Sequence, residues 1–189
     1  DPSHREGFLA EIRKALEYHR VIGNRFVTVI TGREIATSRE EQHRNVVAGL
    51  KSAAELLEGS DLPIVVEPLN VLVDHPGYFL VTSAEAHAVM KEVGSRHVKI
   101  LFDIYHQQIS EGNLIHNIGK CWNEIGYFQV GDVPGRMEPG TGEINWRNVF
   151  KAIHEMGYRG LLGMEHRLSE GNTEEGVLKC FDAYRQVDP

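Results

Sequence analysis

The chain has 189 residues, 41% hydrophobic and 25% charged, a composition that excludes a disordered chain and leaves room for one ordinary domain core. A formal net charge of −7 argues against a nucleic-acid binder, and no apolar run approaches the ~18 residues of a membrane span. Cys121 and Cys180 fit neither a metal motif nor a disulfide framework, so a reducing, cytoplasmic setting is expected.

Asp1, Pro2 and Ser3 lead into a first helix. Ser3 and Glu6 have capping-box spacing, Phe8, Leu9, Ile12, Leu16 and Tyr18 supply its apolar side, and Gly23 follows Ile22 as a terminator. The opening DPSHREGF carries neither an initiator Met nor a signal segment, so the expectation is a fragment with sequence lost before it. FVTVITG reads as a buried strand. Ser38 and Glu41 open a second helix with Val46, Val47, Leu50, Ala54 and Leu57 at helical spacing, and LPIVVEPLN follows as a strand ending on a carboxylate. SAEAHAVMKEVGS is a helix and VKILFDIYH a strand; NLIHNIGKCWNEI is a helix and IGYFQVGD a strand. Asn145 caps WRNVFKAIHEMG, YRGLLGMEH is the last strand, and Asn172 with Glu175 caps EEGVLKCFDAYRQ.

Apolar strands separated by helices imply a parallel α/β sheet. An open doubly wound sheet and part of a (β/α)8 TIM barrel both satisfy the pattern, although no glycine-rich phosphate fingerprint follows any strand. A complete barrel needs about 250 residues. The chain is then expected to be an N-terminally truncated barrel, one domain over 1–189 with the last five βα units, and roughly 90 residues absent at about 30 per unit.

The strand ends carry the chemistry. Glu67 closes IVVE, Asp103 closes KILFD, Gln129 lies in YFQV and Glu165 closes LLGME. In a barrel such residues converge on the face that holds the active site, with neighbouring strands about 4.8 Å apart. Any one carboxylate past a strand is commonly a cap or a surface residue. Four polar residues in successive units are less easily read that way, and carboxylates so close repel unless a cation lies among them. An all-oxygen set suits Mg²⁺ or Mn²⁺ better than zinc. His106, three residues past Asp103, is placed to contact a substrate oxygen, and Arg136 to clamp a substrate through its planar fork. A helix-start surface residue and a loop salt bridge are the plain alternatives for these two. His75 sits among turn residues, while His43, His87 and His154 fall on helix surfaces.

EPLN, DHPGY, LFDIYHQQ, QVGDVPGR-x-EPGTGEINW and GMEHR, in this order, resemble the hydroxypyruvate isomerase-like sugar phosphate isomerases and epimerases of the xylose isomerase-like TIM-barrel superfamily. The resemblance runs from the first helix to about Arg167, and PGR-x-EPGTGEIN is its most specific part. It implies a metal site at Glu67, Asp103, Gln129 and Glu165, acid/base roles for Glu67 and Glu165, and substrate contacts from His106 and Arg136. It also implies proton transfer between carbons of a small sugar or 2-oxo acid through a metal-stabilised enediolate. Two positions depart from the family pattern: Tyr127 and Met137 stand where histidines are frequent, which bears on substrate choice. No nucleic-acid or membrane partner is expected, and a homo-oligomer is compatible with the sequence.

Two other readings are set against this one. A phosphodiester hydrolase of the endonuclease IV type would need several histidines and a basic surface, and VITGRE at the end of its strand offers no ligand. An inactive barrel fragment would keep every metal ligand but leave FVTVITG and LLGME as open edges.

Overall fold

Each of the apolar runs becomes a short parallel strand followed by a helix that covers one of its faces. The structure, a computed structural model, describes residues 2–189. Among the described residues five strands form one sheet in the order of the chain: β1 (Val27–Val29), β2 (Ile64–Val66), β3 (Val98–Asp103), β4 (Ile125–Val130) and β5 (Leu162–Met164). All four pairings are parallel. The helices are α1 (Arg5–Ile22), α2 (Arg39–Leu57), α3 (Ser83–Val93), α4 (Ile104–Ser110), α5 (Leu114–Cys121), α6 (Trp146–Glu155) and α7 (Glu174–Val187). Sequential order with a helix after every strand is the winding of a (β/α) barrel, here covering five units. No helix is long and apolar enough to cross a membrane, among the described residues.

The helix signals act locally as the sequence implies. Ser38 Oγ accepts from Glu41 N–H, Thr82 and Glu85 form a reciprocal capping box, and Asn145 caps α6 through Asn148 N–H. Gly23 ends α1 in the left-handed conformation. Three helix starts differ from expectation. A 3-10 turn, Pro2–His4, precedes α1, so Ser3 lies inside the turn instead of capping the helix; Pro2 suits a first turn because its φ is already set. Asp1 lies outside the described residues. The cap of α7 is Thr173, not Asn172, because Thr173 has the extended backbone a cap requires and its hydroxyl receives Gly176 N–H.

The third correction matters most. VKILFDIYH is not one strand: β3 ends at Asp103, whose Oδ1 accepts the N–H of Tyr105 at 2.9 Å and so starts α4. An apolar run that passes from strand to buried helix without a polar break hides this boundary.

Strand alternation sorts the sheet's two faces. Ile64, Val66, Ile100, Phe102, Phe128 and Val130 join the core packed against the helices. Val65 and Leu101 are just as buried but stand on the opposite face. A register shift between Ile100 and Leu101 adds one residue, Gly126, to β4. A Cβ there would stand 2.7 Å from Lys99 Cβ, so the bulge needs glycine. Beyond it Leu101 pairs with Tyr127 and Asp103 with Gln129. Glu67, Asp103, Gln129 and Glu165 are therefore all on the alternation that faces away from the helices. β2 is wholly buried, whereas Leu162 and Met164 of β5 are 37% and 53% exposed and Ile30, just past β1, is 50% exposed.

Candidate active site

Glu67, Asp103, Gln129 and Glu165 lie at or one step past the C-terminal ends of their strands, while His106 is on α4 and Arg136 in the connection from β4 to α6. Glu67 N–H donates to Val29 O and Glu165 N–H to Val130 O, both at 3.0 Å, continuing the parallel ladders one step past β2 and β5. Asp103 and Gln129 are direct cross-strand partners.

The Asp103 carboxylate, fully buried, divides its two oxygens. Oδ1 caps α4, and Oδ2 accepts from Arg136 Nη2 at 2.8 Å. The same Nη2 donates to Glu165 Oε1 at 2.9 Å, and Arg136 Nε donates to the backbone carbonyl of Glu165. The guanidinium thus stands as a cation between two carboxylates, with its central carbon 4.7 Å from the centre of the Tyr105 ring. Glu67 lacks such a partner. Burial first, then the Asp103 and Glu165 charges, push its carboxyl up to about 8, with Arg136 pulling the other way. Burial likewise raises Asp103 to about 7, against the pull of Arg136. One ligand atom each from Glu67, Asp103 and His106 lies within 4.8 Å of the others.

His106 projects from the first turn of α4, 1% exposed. Its Nε2 is 3.5 Å from Asp103 Oδ2, 3.8 Å from Glu67 Oε1 and 3.3 Å from Arg136 Nη1. Gln129 completes the set differently. Its Oε1 is buried and, among the described residues, has no hydrogen-bond partner. A buried amide oxygen without a donor is costly, and the cost is removed by a cation or a ligand group at that point.

Arg136 owes its place to the connection from β4 to α6. Arg136 itself has φ +54°, a left-handed conformation rare for a side-chain-bearing residue. Asp132, fully buried, holds the loop closed from within. Its Oδ1 accepts the N–H groups of Val133 and Ile144, and its Oδ2 those of Gly140 and Gly142. Gly142 is required there because a Cβ would overlap the Val133 carbonyl. Glu138, 4% exposed, ties the loop to the β5–α7 connection through Ser169 N–H and hydroxyl.

Sequence pattern missed several of these residues. Asp132 and Glu138 were not singled out from the sequence, although charges spaced among PG and GTG turns are a signal for buried loop anchors. His75, read as a turn residue, places its ring 5.3 Å from that of His106. Of the two departures from the family pattern, Tyr127 lies 4.3 Å from the Phe26 ring and Met137 is half-buried.

Residues 1–184 match the family model of the xylose isomerase-like TIM barrel. The chain belongs to that family. It is 36% identical to the hydroxypyruvate isomerase of Escherichia coli K12 over 185 residues, covering 97% of this chain and 70% of that one. To the 2-oxo-tetronate isomerase of Cupriavidus necator it is 35% identical over 182 residues, 95% of this chain and 70% of the other. A crystal structure titled AP endonuclease, family 2, from Brucella melitensis superposes with a TM-score of 0.86 at 29% identity, over 96% of this chain and 69% of that one. Within the family the chain falls among the hydroxypyruvate isomerase-like isomerases and epimerases.

Proposed function

We propose that the chain is a divalent-metal-dependent isomerase or epimerase of short 2-oxo acids or sugars, using Glu67 and Glu165 to move a proton between adjacent carbons. The observation that carries the metal is the buried, partnerless Oε1 of Gln129 on the same sheet face as three carboxylates. Glu67, Asp103, Gln129 and Glu165 offer oxygen alone, the donor set that Mg²⁺ and Mn²⁺ prefer. Bound there, the cation would polarise a carbonyl and its neighbouring hydroxyl and so acidify the C–H between them.

The protein residues divide the remaining work. Glu165, 47% exposed at the sheet's edge, reaches the solvent side of the site and is the principal base. Glu67, buried on the same sheet face, is its partner in the proton transfer. Arg136 and His106 present N–H groups to substrate oxygens. The family relatives named for hydroxypyruvate and 2-oxo-tetronate support a small oxygen-rich substrate. A phosphodiesterase reading lacks support in the charge of −7 and in a mouth where His106 and His75 are the histidines.

The test is α-proton exchange in D₂O with hydroxypyruvate and a panel of ketoses, with Mg²⁺ or Mn²⁺ added. Glu165→Gln is expected to slow exchange at least ~100-fold, the scale of general-base loss. Near-normal exchange in that variant with metal still bound would refute the assignment.

A further inference from the structure

A pocket of about 350 Å³ opens between the first turn of α1, the end of β1 and the middle of α2. Phe8, Val29, Val46, Leu50 and Val66 line it with carbon. Val29 and Val66 are on the helix-facing alternation of their strands, whereas Glu67 faces the other way, so the sheet itself separates this pocket from the mouth. Two features of it have no use in the fold. Arg5 and Arg33 both line it, and among the described residues neither side chain has a hydrogen bond or an ion pair. No carboxylate of the described residues lines it either, although the chain carries a net charge of −7 and pockets of similar size elsewhere each include at least one Asp or Glu. Asn45 lies in the same wall, and its Nδ2 has no hydrogen-bond partner. The second feature is Gly49, on the pocket wall and in the interior of α2. Glycine weakens a helix interior, and a Cβ placed there would meet no atom within 4 Å. Packing does not call for glycine at this position; its missing side chain is what keeps the pocket open.

We propose that this pocket is a second binding site, for a small organic anion: a carboxylate with an apolar body. The carbon-lined floor takes the body. The planar forks of Arg5, half-buried, and Arg33, exposed, take the carboxylate oxygens. The N-terminus of α1 lies at the same place, so the positive end of its dipole adds to the attraction. A neutral ligand would leave both guanidinium groups unused, and inorganic phosphate would leave the floor empty. The site does not rest on the isomerase reading.

Isothermal titration of the full chain with straight-chain carboxylates tests this. Affinity is expected to rise about fourfold per added methylene from butanoate to octanoate, the scale of burying one CH₂. Octan-1-ol, of the same length but uncharged, should bind at least ~10-fold more weakly. Gly49→Leu puts a side chain into the pocket and should abolish octanoate binding while Tm holds or rises. Arg5→Gln with Arg33→Gln should weaken octanoate at least ~10-fold and leave octan-1-ol unchanged. Octanoate binding at wild-type affinity in either variant would overturn the pocket as the site. Equal affinities for octanoate and octan-1-ol, or inorganic phosphate as tight as octanoate, would overturn the ligand class. No octanoate binding to the wild type at millimolar concentration would overturn both. If Gly49→Leu does not fold, the arginine pair decides alone, because losing octanoate while keeping octan-1-ol requires those two groups.

Discussion

Replacing Asp132 with alanine removes, in one step, the acceptor of four backbone N–H groups: Val133 at 2.8 Å, Gly140 at 2.8 Å, Gly142 at 2.9 Å and Ile144 at 3.2 Å. Gly140 and Gly142 are exposed and regain water, so each loses about 0.5–1.5 kcal/mol, whereas the buried Ile144 N–H loses about 1–3 kcal/mol. With Val133 at a further about 0.5–1.5 kcal/mol the sum is about 2.5–7.5 kcal/mol, comparable with the lower end of a domain's whole stability of about 5–15 kcal/mol. The loop, and Arg136 with it, should open well before the sheet unfolds. Amide hydrogen exchange is expected to quicken at least ~100-fold at Ile144 and less at the exposed glycines, while β2 and β3 stay protected. Asp132→Asn keeps one oxygen and turns an NH₂ toward the other pair of donors, so it should fall between wild type and alanine. Exchange at Ile144 within about threefold of wild type in the alanine variant would refute the anchoring role.

Arg136→Gln frees Asp103 Oδ2 and Glu165 Oε1 and removes a positive charge, so Mn²⁺ should bind about tenfold or more tightly in calorimetry while proton exchange falls; weaker Mn²⁺ binding would contradict this. Glu67 is raised from 4.5 to about 8 by burial, so the folded chain keeps a proton that the unfolded chain has lost. That contribution is complete below pH about 4.5 and is lost as the pH rises through about 8, so the Tm of the metal-free protein should fall by several degrees across this window. Glu67→Gln should flatten the profile, and an unchanged slope in that variant would place its origin elsewhere. Chelation should matter most at the alkaline end, where added Mg²⁺ is expected to raise Tm more at pH 8 than at pH 6; equal gains would count against carboxylate ligation.

The strands and most helix caps were legible because their signals are local: apolar runs of strand length, Ser38 before Glu41, Gly23 after Ile22. The strand-end residues were legible because parity and position alone bring them to one mouth. What escaped depended on contacts distant in sequence. The break after Asp103 is invisible in a run that stays apolar, and the bulge at Gly126 emerges only from the approach of Lys99. Asn70 reads as one polar residue in a loop until His106 is seen 36 positions away. For Arg136 a loop salt bridge was the plain alternative, but its two partners were not legible, since Glu165 belongs to the next unit.

The divided carboxylate of Asp103 has a mechanical consequence. Its two oxygens are joined by a rigid plane, so a pull on Oδ2 is also a turn of Oδ1 against the N-terminus of α4. Whatever cation or substrate loads the mouth also loads the joint from which His106 is cantilevered. An added methylene, as in Asp103→Glu, would supply the same charge but slacken that joint.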